Sequence, residues 1–182
     1  MLVAAAVVAL PAGAGAAGPQ ITRDEALALA YPGAAIAAER LFLTPEQMKA
    51  AAARGGVSLD TPLIARYTAR KDGSLVGRAY VDTHTVRTKK ESLLISLDAS
   101  AAVKRVDVLA FLEPPEYHPP KRFVEQFNGR HLDDETRINR AIRPIAGATL
   151  TANSITNAVR RVLAIDAVLA EAGRSQPRGR PW

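Results

Sequence analysis

An α+β domain is the fold this sequence predicts, with an antiparallel sheet of about four strands packed with N-terminal and C-terminal helices. Three observations point to it. From Leu63 to Phe111 the chain runs in short apolar stretches of strand length, each broken by turn residues. Two capped helix starts lie ahead of that region, and a long apolar stripe at helical spacing lies behind it. Strands joined by short turns pair antiparallel, which leaves the helices to the two ends of the chain.

The first element is a leader. Leu2 to Leu10 is an apolar run, and Pro11 and small residues follow it as far as Gly18. This is the layout of a secretory signal, and Ala14-Gly15-Ala16 supplies a cleavage site, so residues 1–16 are expected to be removed. A run this short falls well under the roughly 20 residues needed to span a bilayer. The sequence therefore predicts an exported protein, periplasmic or extracytoplasmic and membrane-associated, with an uncleaved anchor as the alternative to cleavage. Absence of cysteine excludes thiolate clusters, thioether haem attachment and disulfides. Any redox group must be held by other means.

Residues 17–60 read as a helical segment. Thr22 caps Asp24 to Ala30, with Tyr31-Pro32-Gly33 ending the helix. In Thr44-Pro45-Glu46-Gln47 the threonine caps, the proline takes the first helical position and the glutamine completes a capping box. Gly55-Gly56 stops that helix. Strands Leu63 to Arg70 and Leu75 to Val81 flank Lys71-Asp72-Gly73-Ser74, a hairpin with Asp-Gly in its turn. Strands Ser92 to Leu97 and Val103 to Phe111 are joined through Asp98-Ala99-Ser100.

Beyond Phe111, Pro114, Pro115, Pro119 and Pro120 forbid regular structure and make a stiff exposed loop. Phe123 to Phe127 reads as a helical turn ending at Asn128-Gly129, and Ile138, Ala141 and Ile142 have helical spacing up to Pro144. The last helix starts near Leu150. Its stripe is Ile155, Val159, Val162, Leu163 and Leu169, with Asp166 as the exception. From Gly173 to Trp182 the chain is rich in Arg, Pro and Gly and is expected to be a disordered tail.

The formal charge is +6 and the isoelectric point near 10.0. Only 5% of residues are aromatic and none is interleaved with a basic run, so the charge reads as a solvated surface rather than a nucleic-acid platform. His84, His118 and His131 lack ligand-like spacing, which argues against a metal site. Asp82 and His84 point to one side of a strand, but no nucleophile motif accompanies them, so a structural pair or a pocket lining is expected. Arg87 and Glu91 are expected to close a surface ion pair of little energetic weight.

The most informative stretch is Ala146-Gly147-Ala148-Thr149-Leu150-Thr151, where a glycine turn and hydroxyls precede the last helix. A helix start presents unpaired amides and the positive end of the macrodipole, which suits an anion. In order along the chain, Glu113-Pro114, then Phe127-Asn128-Gly129, then Gly147-Ala148-Thr149 resemble the FMN-binding domain family. That family includes the flavin-bearing small subunits of sodium-pumping NADH:quinone oxidoreductase and Rnf-type complexes. Arg143 and Ala146 stand where the family's attachment motif has Asp and Ser or Thr.

The resemblance covers about Leu63 to Ala170 and implies an FMN-binding domain over residues 61–172. It implies FMN as cofactor, with its phosphate at Thr149, covalently linked there or not, and with Gly147, Ala148, Leu150 and Thr151 around it. Glu113, Pro114 and Tyr117 are expected to position or stack on the ring. The implied activity is electron transfer, for which the cofactor carries the chemistry and the chain needs no catalytic residue of its own. The implied partners are a membrane redox complex or cytochrome and an ApbE-type flavin transferase. Two alternatives stand beside it: a flavin-dependent reductase with non-covalent FMN, and a flavin-free domain of the same fold that binds a partner.

Overall fold

The computed structural model describes residues 21–175, so the leader expected at 1–16 and residues 176–182 fall outside the described residues. Both predicted capping boxes form. Thr22 Oγ1 accepts the Glu25 amide at 3.2 Å while Glu25 returns a carboxylate oxygen to the Thr22 amide at 2.9 Å, which starts helix α1, Arg23–Ala30. Thr44 and Gln47 repeat the arrangement at the head of helix α2, Pro45–Gly55, with Pro45 at the first position. Such a cap contributes about 1 kcal/mol. Gly56 ends α2 in the left-handed region at φ 62.

Between these helices the chain departs from expectation. Ala35–Phe42 is a strand, β1, and it raises the sheet to five strands in the order β1-β2-β3-β4-β5, where β2 is Leu63–Lys71, β3 Ser74–Thr85, β4 Lys90–Asp98 and β5 Val103–Phe111. All neighbours pair antiparallel. The sheet is otherwise the predicted α+β meander. Asp72 and Gly73 both take positive φ, at 50 and 78, which is the two-residue turn whose twist matches its strands.

Side chains alternate across the sheet. One face carries Tyr80, Leu93, Ile95 and Leu97 against Ile155, Val159 and Val162 of the long helix α4, Thr149–Ser175, with α2 alongside. Each fully buried aliphatic side chain there contributes about 1.5–3 kcal/mol. The other face packs Tyr67, Ala69, Ala79 and Leu94 under Leu27 and Tyr31 of the α1 region. Asp166, the exception in the apolar stripe of α4, is 2% exposed. It accepts from Arg78 Nε and Nη2 at 2.5 and 2.8 Å and from the Tyr80 hydroxyl at 2.6 Å. A buried charge is tolerated here because all its partners are supplied.

After β5 a 3-10 turn spans Pro115–Tyr117, then α3, Lys121–Val124, runs into a second 3-10 turn, Glu125–Phe127, that ends at Asn128-Gly129 as expected. Ile138, Ala141 and Ile142 form no helix. Their segment is a set of turns with an Ile138 to Ile142 bridge, Asn139 at φ 63, and the Arg137 and Ala141 amides both on the Glu135 carbonyl. Helix α4 continues to Ser175, past the Gly173 at which the tail was expected to begin.

Candidate functional site

The start of α4 differs from the other two capped helices. Gly147 turns the chain at φ 77, a left-handed conformation that glycine adopts without cost. The Ala148 carbonyl accepts the Ala152 amide at 3.0 Å, so Ala148 holds the cap position and Thr149 is the first helical residue. Alanine has no side-chain acceptor. The amides of Thr149, Leu150 and Thr151 therefore meet no side-chain acceptor among the described residues, whereas in α1 and α2 a threonine accepts the third amide. Thr149 and Leu150 are exposed, and Thr151 is 1% exposed, with no hydrogen bond to its hydroxyl among the described residues.

Against this helix start lies the loop that follows β5. Glu113 turns Oε1 onto three successive amides, those of Arg87, Thr88 and Lys89, at 3.0, 2.6 and 2.7 Å. Those of Lys89 and Thr88 do most to hold its carboxyl below the ordinary glutamate value. One carboxylate thus fixes the β3–β4 turn against the end of β5. Two residues into the 3-10 turn, Tyr117 lies under the Arg87 guanidinium, whose carbon is 4.6 Å from the ring centroid. At an exposed position such a contact contributes about 0.5–1 kcal/mol.

These pieces enclose one small cleft, lined by Val86, Arg87, Glu113, Tyr117, Ala148, Leu150 and Thr151. Five residues chosen from sequence, Glu113, Tyr117, Ala148, Leu150 and Thr151, meet there from two distant segments. Gly147 and Thr149 are exposed at its edge by chain position. Pro114 does not line it; its carbonyl accepts the Tyr117 amide at 3.0 Å and so shapes the turn. Val86 and Arg87 were not foreseen at the site. The sequence-based pairing of Arg87 with Glu91 does not form, because Arg87 stacks on Tyr117 while Glu91 is 0% exposed inside the fold.

Space decides what the cleft can hold. It encloses about 10 Å³, about the room of one water molecule and too little for a phosphate or a three-ring system as Arg87 stands. The bare amides and the Arg87 guanidinium at its edge are donors of the kind a phosphate takes. A second, open groove of about 570 Å³ runs between α3 and the approach to α4, with Phe123 and Ile145 in its walls and Arg122 and Arg143 beside them.

The Asp82 and His84 pair expected from sequence is present and larger than expected. His84 Nδ1 donates to Asp82 at 2.9 Å and Nε2 to Glu91 at 3.0 Å, while Arg161 of α4 donates twice to Asp82 at 2.9 and 2.7 Å. Burial by itself lowers the His84 pKa, but the hydrogen bonds it donates to the two carboxylates, with their charge, outweigh it and push it up to about 9. Burial raises Glu91, against the pull of His84. Burial also opposes ionisation of Asp82, yet His84 and Arg161 hold its pKa below the usual value. With all four groups charged the cluster is neutral. Both imidazole nitrogens are engaged by carboxylates, which leaves neither free to activate a nucleophile.

No model of a known protein family matches the chain, and no curated protein matches it either. The site is read on its own geometry. Among the described residues no cluster of ligating side chains could hold a metal ion, and no helix is long and apolar enough to cross a membrane.

Proposed function

We propose that this chain is an exported electron carrier that binds FMN, with the phosphate at the first turn of α4. The observation that carries the reading is the uncapped start of the longest helix, with Thr151 lining the cleft and its hydroxyl not hydrogen-bonded among the described residues, and Glu113 and Tyr117 brought against it from beyond β5. A phosphate there gains unpaired amides and the positive end of the helix. When bound, the flavin supplies the electron-transfer chemistry, and the chain binds and orients it. His84, with both ring nitrogens engaged by carboxylates, is in keeping with a protein that does no acid–base chemistry of its own.

Thr149 is the hydroxyl for covalent attachment, exposed at the head of the helix where a transferase can reach it. Esterification needs an activated donor such as a flavin dinucleotide. The mononucleotide passes to Thr149 Oγ1, a nucleoside monophosphate leaves, and the hydroxyl proton is lost. The electron partners in this reading are a membrane redox complex or a cytochrome.

Intact-mass spectrometry of protein made with an ApbE-type flavin transferase tests the link, alongside T149A. The expected result is a mass gain in the wild type that T149A lacks. Wild type without the gain sinks the covalent link, and a gain retained in T149A moves it to another residue. Protein made without the transferase is titrated with FMN, and absence of binding overturns the cofactor itself.

A further inference from the structure

Resting on the FMN reading above, we propose that Arg87 determines specificity for a phosphorylated flavin, by exchanging its stack on Tyr117 for the phosphate at the head of α4. Three observations converge. The Arg87 guanidinium has no ion pair or hydrogen bond among the described residues; it stacks on the Tyr117 ring at 4.6 Å and feels the charge of Glu113. It lines the cleft together with Thr151, a residue 1% exposed whose hydroxyl is without a partner. The backbone that carries it is pinned, because Glu113 holds the amides of residues 87 to 89, while the guanidinium itself is held by no hydrogen bond among the described residues.

A planar guanidinium binds a phosphate through parallel, charge-assisted hydrogen bonds, which are stronger than a solvent-exposed stack on tyrosine. Arrival of a phosphate therefore draws Arg87 off the ring and opens the Tyr117 face in the same movement. One substituent of the ligand reads the arginine while the flat part takes its place. Glu113 is ionised in the same cleft and attracts Arg87 without pairing with it, so the phosphate has to outcompete that pull; a doubly charged group taking parallel hydrogen bonds is the stronger partner. The ligand class that follows is a flavin bearing a terminal phosphate. Riboflavin, which has the ring but not the phosphate, leaves Arg87 where it stands.

The test is titration of full-length protein made without a flavin transferase, with FMN and with riboflavin, read by quenching of flavin fluorescence. Wild type, R87L and R87K are compared. Arg87 is exposed and its side chain bonds to nothing, so R87L should keep the fold, which circular dichroism checks. The expected result is a wild-type preference for FMN that falls roughly tenfold to a hundredfold in R87L through weaker FMN binding, with riboflavin unchanged or tighter. R87K should keep part of the preference because it keeps the charge. Wild type that binds FMN with the same FMN to riboflavin ratio as R87L overturns the role of Arg87 and leaves the FMN reading standing. Wild type that binds neither flavin overturns both.

Discussion

Raising the pH from about 6 to about 10 should weaken the fold, and His84 is the reason. Its pKa rises from 6.5 to about 9 on folding, held by Asp82 on its own strand and Glu91 on β4, with Arg161 from α4 on the far side of Asp82 and His118 acting on Glu91 from the loop after β5. At about 1.4 kcal/mol for each pH unit, a shift of that size corresponds to stabilisation on the order of 3 kcal/mol. Because the folded form binds the proton more tightly, this contribution is complete below pH 6.5 and is lost as pH climbs through 9. Raised pKa values at Tyr31 and Tyr80 act in the same direction, but only above pH 10, so the window is clear of them. Urea unfolding followed by circular dichroism at closely spaced pH values measures the slope. The H84L variant should be less stable at pH 6 and should lack the fall between 6.5 and 9. A wild-type stability that stays flat across that window, or a slope that survives in H84L, refutes the reasoning.

Gly77 should not accept a side chain. A Cβ there would lie 2.3 Å from the Leu97 carbonyl oxygen and 2.4 Å from the Tyr31 ring, whose hydroxyl is fixed between the carbonyls of Arg78 and Leu97. G77A should cost about 1–3 kcal/mol, read as a Tm several degrees lower, and an unchanged Tm would contradict the packing described for α1. In D166L, Arg78 and the Tyr80 hydroxyl lose their acceptor inside the fold, at a cost of about 3–5 kcal/mol by urea unfolding. Adding R78L should recover part of that loss, and two costs that simply add would show that the pair is not coupled.

Period and turn chemistry made most of this architecture readable. Asp72-Gly73 and the two threonine capping boxes are local devices, and they act in the structure as their sequence spacing demands. Strand β1 escaped because Ala35-Ile36-Ala37-Ala38-Glu39-Arg40 has neither β-branched density nor alternation. As an edge strand exposed along most of its length it needs neither, since pairing with β2 supplies its order. Ile138, Ala141 and Ile142 carry helical spacing without helix, since Glu135 and Asn139 divert the backbone into turns. At the site, Glu113, Tyr117 and the 148–151 segment could be picked out from the order of motifs. Arg87 could not, because its place over Tyr117 depends on three amides held by a carboxylate some 25 residues further on. Asp166 looked like a flaw in a stripe only until its partners, 86 and 88 residues away, were in view.

Helices α2 and α4, far apart in sequence, meet over one face of the sheet. Arg160 Nε reaches the Gly55 carbonyl at 2.8 Å across 105 residues, and Arg54 pairs with Glu171 across 117. The hairpins β2 to β5 involve only near neighbours and can form early, whereas the docking of α4 has to close the longest loop in the molecule. Synthesis delivers that helix after all five strands. Until it arrives the apolar sheet face of Tyr80, Leu93 and Ile95 is bare and sticky, and the cleft lacks one of its walls. Closure of the cleft thus waits on the docking of α4, and a ligand held there would favour the docked state.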